Sequence, residues 1–408
     1  MTLSQVLSNK LSYFAAVVVF SFFFVADLIG AEATEISGYL SLEFRAFPNK
    51  GLHDNQKNEN VSLAFQPEFY KTWDDERHSV LLVPFARLDQ YDSRRTHVDL
   101  REFIYNYNST SWELRAGIGK VFWGVAESNH LIDIINQSDA VENTDLEDKL
   151  GQPMVNLTLV RDWGTADFFV LPGFRERTFP DKDARFRSSI KIDQSSSMYQ
   201  SAAEEKHIDY AVRFSGYLGP LDLGLSHFWG TSRMPRFLAR KSVQGELSLV
   251  PYYDLIHQTS LDLQATLQNW LLKLEVMRRQ GQDKTYFASV SGFEYTLVGI
   301  GGTAIDLGLL SEYHWDERGF KSTGAFNNDI FTAMRVAMND AADTQLLGGI
   351  GADMNNGGYF TNLEASRRFG NHWKMELEAR FTYDTADHDA FYPVREDDSI
   401  QLEIIRFF

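Results

Sequence analysis

From residue 34 to the C-terminus, apolar and polar side chains alternate one by one. That is the period of an extended strand with two unlike faces, not the 3.6-residue period of an amphipathic helix. Leu40, Leu42, Phe44 and Ala46 are interleaved with Tyr39, Ser41, Glu43 and Arg45. Trp373, Met375, Leu377, Ala379 and Phe381 are interleaved with Lys374, Glu376, Glu378 and Arg380. Each such segment runs for about 10 residues, the length of a tilted strand that crosses a bilayer. The pattern predicts strands over 36–46, 61–72, 78–90, 96–107, 111–121, 153–162, 165–174, 206–217 and 220–230. It continues over 254–266, 269–279, 285–298, 303–315, 329–338, 344–354, 358–369, 372–384 and 398–408. That makes about 18 strands. Segment 243–252 reads either as a further strand or as loop, and 16 strands is the alternative count.

The connections alternate in length. Short turns fall at 108–111, 163–164, 216–220, 268–269, 299–302, 339–343 and 370–372, whereas 122–152, 174–205, 231–253, 316–328 and 385–397 are long. A transmembrane antiparallel β-barrel has this asymmetry, with short turns on one rim and long loops on the other. Aromatic residues recur near strand ends, among them Trp73, Trp112, Trp270, Trp315, Trp373 and Tyr383, where interfacial girdles belong. The expected fold class is therefore all-β: one barrel over residues 34–408. Residues 1–33 read as a cleaved signal peptide, with Lys10 before the apolar run 11–26 and Ala31-Glu32-Ala33 as the cleavage site.

Composition narrows the choice. The 408 residues contain 14% aromatics, no Cys and a formal charge of -17. Disulfides, thiolate metal sites and Cys nucleophiles are thereby excluded, and no nucleic-acid partner is expected of so acidic a chain. No zinc-protease, nucleophile-elbow or P-loop motif is present, and Gly299-Ile-Gly-Gly-Thr-Ala304 joins two predicted strands, so it reads as a turn rather than a nucleotide loop. Neither an enzymatic activity nor a cofactor is expected.

Loop 122–152 carries seven carboxylates (Glu127, Asp133, Asp139, Glu142, Asp145, Glu147 and Asp148) against Lys149 alone, a formal -6. The following long loop has the opposite sign, with Arg175, Arg177, Lys182, Arg185, Arg187 and Lys191. An acidic segment facing a basic one would create a transverse field across a pore. The expected constriction residues are Glu127, Asp133, Asp139, Glu142, Arg175, Arg177 and Arg185, with a weak cation preference. The alternative is a solvated acidic loop, with the acidic and basic segments simply pairing with each other on the surface. Charged residues on the polar faces of strands are expected to line the lumen: Arg101, Arg115, Lys273, Glu275, Glu294, Asp306, Glu312, Arg335, Glu364, Arg368, Glu376, Glu378 and Arg380.

Several stretches resemble a porin-like family of Gram-negative outer-membrane proteins, much of it uncharacterised. They are Asp99-Leu-Arg-Glu-Phe103, Trp112-Glu-Leu-Arg-Ala-Gly117, Trp123-Gly124 and Asp133-Ile-Ile-Asn-Gln-Ser-Asp139. Further on come Gly292-Phe-Glu-Tyr-Thr296, Asp306-Leu-Gly-Leu-Leu-Ser-Glu-Tyr313, Asn328-Asp329 and Asn339-Asp340. The resemblance implies an outer-membrane barrel with channel-type transport of small hydrophilic solutes or ions. It also implies that an acidic loop in this position folds inward to narrow the lumen. The terminal strand ending in Phe408 is similar to the signal that barrel-insertion machinery reads, so outer-membrane lipid and that machinery are the expected partners. Two rivals stand beside the channel. One is a barrel hydrolase, which needs a Ser/His pair within hydrogen-bond reach at the outer rim; the other is a structural or adhesive barrel plugged by its own loops.

Overall fold

A computed structural model describes residues 34–241, 244–282 and 284–408; the expected signal peptide lies outside the described residues. Eighteen antiparallel strands form one sheet that closes on itself. The first strand, Thr34–Ala46, pairs on one side with Glu59–Trp73 and on the other with the last strand, Ser399–Phe407. Closure leaves no sheet edge, which is the condition for a sheet to cross hydrocarbon without water at its amides.

The two faces follow the alternation. On the first strand Leu40, Leu42 and Phe44 are exposed, while Ser41, Glu43 and Arg45 are buried on the inner side. The same division recurs at Leu309 and Tyr313 against Leu310, Glu312 and His314. An apolar exterior around a polar interior inverts a soluble protein and matches a lipid-embedded wall. Exposed aromatics border this band at both ends. Trp163, Trp270 and Trp373 lie on the short-turn side, and Trp229, Trp315 and Tyr383 lie near the long loops.

The barrel seam explains one glycine. Gly38 has φ 147°, and a Cβ there would sit 2.4 Å from the Gln66 carbonyl oxygen and 3.0 Å from the Phe408 ring. The Phe408 amide donates to the Gly38 carbonyl at 3.1 Å, so the terminal residue is stitched to the first strand. A second local device is a bulge. Register slips between Val83 and Pro84 opposite 100–102, and the displaced strand aims both Asp99 and Arg101 inward while Phe103 points out.

Segment 243–252, as far as it is described, is both a further strand and part of a long connection. Leu247–Tyr253 is a strand, but it pairs with Arg236–Lys241 and with Met198–Tyr199 in a separate three-stranded sheet among the long loops. The barrel count is therefore 18, not 16. The fold carries its own test: the purified protein should show β-type circular dichroism and migrate faster on gels before heating than after. Release from membranes by alkaline carbonate alone would be incompatible with this wall.

Candidate functional site

The segment joining strands Trp112–Gly119 and Gln152–Arg161 does not stay on the rim. Its apolar residues Trp123, Ile132, Ile134 and Ile135 are buried against Phe169, Leu171, Ala211, Phe228, Ile256, Met277 and Ala288 on the inner wall. Several inward positions of that sector are thus apolar rather than charged, and this is what the loop covers. Burial of four large side chains there supplies on the order of 1.5–3 kcal/mol each.

Backbone amides then fasten the loop to two wall carboxylates. Glu275 accepts from the amides of Val125 at 2.6 Å, Ala126 at 2.9 Å and Ile132 at 3.2 Å. Glu312 accepts from the amides of Glu127 at 2.7 Å and Ser128 at 2.9 Å, and from the Ser128 hydroxyl at 2.5 Å. Gly124 permits the approach, since a Cβ on it would lie 2.8 Å from a Glu275 carboxylate oxygen. A loop outside regular structure must find partners for its buried amides, and here the wall provides them.

The far end of the loop meets other strands. Arg87 donates to the Glu142 carboxylate at 2.7 Å, and Arg45 and Arg95 donate to its carbonyl at 2.9 and 3.1 Å. Asn143 donates to Glu378, and Arg380 holds Asn143, Thr144 and Asp145. Asp139 pairs with Arg101 at 2.7 Å and accepts from Thr178. Burial alone would raise its pKa, but Arg101 and His97 outweigh that and hold the carboxyl below the usual range.

Five of the loop's seven carboxylates face an Arg or Lys, and a sixth faces His130. Besides Asp139 and Glu142, Glu127 meets Arg335 at 2.5 Å and Lys273 at 3.6 Å, Asp133 meets Lys149 at 3.1 Å, Asp145 meets Arg380 at 3.0 Å and Glu147 meets His130 at 3.6 Å. Asp133 remains raised because burial dominates over Lys149. The basic stretch is divided in use. Arg175 pairs with Asp99 at 2.7 Å, and Arg185 is buried against Asp397 at 2.6 Å. Arg177 instead lines a cavity of about 720 Å³ between the loops and the inner wall.

The remaining wall residues vary in place. Arg115 donates to the Lys120 carbonyl, Glu294 reaches Arg335 at 3.6 Å, Glu364 accepts from Asn362 at 2.7 Å and Glu376 pairs with Lys374 at 2.5 Å. Asp306 stands on the inward row but accepts from Gly299 and Asn339 at the short-turn rim. Arg368 is exposed at that rim, 5.5 Å from the Phe407 ring.

Two further arrangements bear on chemistry. Ser128 Oγ lies 2.8 Å from His314 Nε2, the Ser/His proximity that a hydrolase needs. The supporting carboxylate, Glu312, takes the serine hydroxyl, whereas His314 Nδ1 has no hydrogen-bond partner. A nucleophilic set requires the reverse, with the carboxylate orienting the imidazole. His97, Asp139 and Glu142 are the only group with metal-ligand spacing among the described residues. Both carboxylates already hold guanidinium groups, which compete with any cation.

Residues outside the sequence expectation also shape the cavity. Phe326, Phe331, Phe360 and Phe391 line it as a cluster with ring centroids 5.3–6.2 Å apart, Phe360 stacked on both Phe331 and Phe391. Gly349 and Gly351 lie beneath Phe331 and Phe360, where a Cβ would fall 2.3 and 1.8 Å from the rings. Small residues alternating on that strand are the signal that could have located this wall.

No family model matches the chain, and no curated protein is similar to it in sequence. Solved structures with this fold include a BenF-like porin from Pseudomonas fluorescens Pf-5, at 10% identity and TM-score 0.54, covering 92% of this chain and 98% of that one. OccK3 (OpdO) of Pseudomonas aeruginosa aligns at 12% identity and TM-score 0.52, covering 92% and 95%. Wzi of Escherichia coli, described as a carbohydrate-binding barrel involved in capsule assembly, aligns at 11% and 0.50, covering 90% and 83%. What these likenesses establish for this chain is the fold: a closed 18-stranded β-barrel of the outer-membrane porin type.

Proposed function

We propose that the protein is a passive outer-membrane channel for small hydrophilic solutes, with loop 122–152 as its constriction. The observation that carries this reading is the attachment of the loop to distant parts of the wall. It reaches Glu275 and Glu312 at one end, and Arg87 and Arg380 at the other. A segment held at both ends narrows the lumen while leaving the cavity beside it open to solutes. Transport of this kind needs no chemical step. Selectivity then comes from pore width and from the charges that face it.

Single-channel recording in planar bilayers tests the proposal. Replacing the central part of the loop by a short flexible link should raise conductance, and the folded state of the variant is checked by heat-modifiable mobility. Glu312→Gln with Ser128→Ala, which weakens one clasp and leaves the loop intact, should increase current noise and mean conductance to a smaller extent. If the parent and both variants conduct alike, the loop is not the constriction. If none conducts and liposomes do not swell in sugar solutions, the barrel is plugged and the structural reading replaces the channel.

A further inference from the structure

The pleat that turns Phe228, Ile256 and Met277 toward the buried loop turns their neighbours His227, Trp229, His257 and Arg278 to the outside of the barrel. These outward positions adjoin one another on three neighbouring strands. Thr259 of strand Leu255–Leu267 pairs with His227 of Leu221–Thr231 on one side and with Arg278 of Trp270–Gln280 on the other. His257 lies opposite Trp229 and Gln280 in the next outward row. Arg278 is the ninth of the eleven residues of its strand, so the group sits toward the long-loop rim, which faces the cell exterior. His257 and Arg278 are exposed on the wall. The His227 ring lies 4.0 Å from Trp229 and 6.2 Å from His257; its Nδ1 is 2.8 Å from the Thr259 hydroxyl, and its buried Nε2 has no hydrogen-bond partner. The ion pairs of these strands, Arg213–Asp262 and Lys273–Glu127, lie on the inner side, and among the described residues none includes His227, His257 or Arg278. Outward arginines at the opposite rim differ: Arg367 pairs with Asp340, and Arg406 lies 5.4 Å over the Trp373 ring.

A cation on the outer wall is costly at mid-depth and tolerated near the interface, where it gains when a lipid anion meets it. The outer leaflet on that side is built of glycolipid, with phosphates on its sugar head and several acyl chains beneath. The wall repeats that order. Below the basic group come Leu225, Leu261 and Val276, adjacent to one another on the same three strands. Tyr210, Trp229 and Phe287 flank it, all exposed. The guanidinium fork suits phosphate in two-point contact. His257 is diagonal to Arg278 across one strand pair, about 7–8 Å away along the sheet, a span that one phosphate bridges with two side chains reaching toward it. We propose that this patch is a binding site for a phosphorylated glycolipid of the outer leaflet, Arg278 gripping a phosphate, His257 donating beside it and the Leu225–Leu261–Val276 row holding acyl chain. The inference goes beyond the channel reading and stands whether or not the lumen conducts.

The test uses the full-length protein in maltoside micelles, which contain no phosphate, with bisphosphorylated lipid A, the same lipid A stripped of phosphate, and inorganic phosphate as probes. Bisphosphorylated lipid A should raise the thermal unfolding midpoint of the parent, and the stripped lipid should raise it less. Arg278→Gln combined with His257→Gln should abolish that difference, and Arg278→Lys, which keeps charge but loses the fork, should retain part of it. Arg406→Gln, at the opposite rim, should leave the difference intact. Native mass spectrometry should show several-fold less lipid A retained by the double variant than by the parent. If the double variant fails to fold, His257→Gln alone must reduce both the midpoint difference and the retained lipid. Equal shifts from the two lipids would mean that acyl chains alone are bound, and would overturn the site. So would a shift reproduced by inorganic phosphate, which would make it a site for the free anion. A loss of stability by Arg278→Gln in micelles without lipid A would make the arginine structural. Self-association in lipid-free micelles that the double variant disrupts would assign the patch to a second copy of the chain, and either result overturns the proposal.

Discussion

Arg95→Met should destabilise the protein by about 3–5 kcal/mol, the cost of removing one partner from a buried ion network. Arg95 is 2% exposed and donates to both oxygens of Glu43 at 2.7 Å, to Asp89 at 3.0 Å and to the Glu142 carbonyl at 3.1 Å. Methionine keeps the apolar stem of arginine, so the loss is mainly that of the guanidinium's ion pairs and hydrogen bonds. Glu43 would keep Arg45 and Arg87, but Asp89 would lose its only ion-pair partner among the described residues. The control is Arg77→Met, because the Arg77–Asp74 pair at 3.7 Å has both side chains more than half exposed and is worth at most about 1 kcal/mol. Denaturant unfolding in lipid vesicles measures both. Similar losses at the two positions would mean that the Arg95 network is open to water.

Leu377→Arg should cost about 2–4 kcal/mol, the penalty for a cation on the lipid face near mid-depth. Leu377 is the fifth residue of strand Trp373–Tyr383, is 37% exposed, and lies between Ala365 and Leu402 on the neighbouring strands. Its neighbour Glu378 faces the opposite way, toward Arg380 and Asn143. Glu378→Gln keeps an acceptor for Asn143 and should be mild. Folding titrations that gave equal losses for the two changes would place the register one residue out, because a single step exchanges the two faces of a strand.

The barrel was legible in the sequence because its causes are local. Whether Leu42 or Glu43 faces lipid depends on the two-residue pleat and on a solvent that rejects charge, and both act on neighbouring positions of the chain. Strand number and turn asymmetry follow from the same repeat. Segment 243–252 was ambiguous for the complementary reason. Its alternation marks a strand, but which sheet it joins is settled by Arg236–Lys241 and Met198–Tyr199, not by its own pattern.

The lumen was legible only as a set of charged residues. Each carboxylate of loop 122–152 is visible in the sequence, but its electrostatic effect depends on partners such as Arg335, 208 positions from Glu127. The same holds for Arg185 and Asp397, which are 212 positions apart. The sequence by itself determined the barrel wall, since the pleat and the lipid solvent act residue by residue. The tertiary structure alone decided which charges cancel and which remain facing the cavity, because Coulomb interactions and hydrogen bonds depend on distance in space, and the closed barrel brings together residues far apart in the chain.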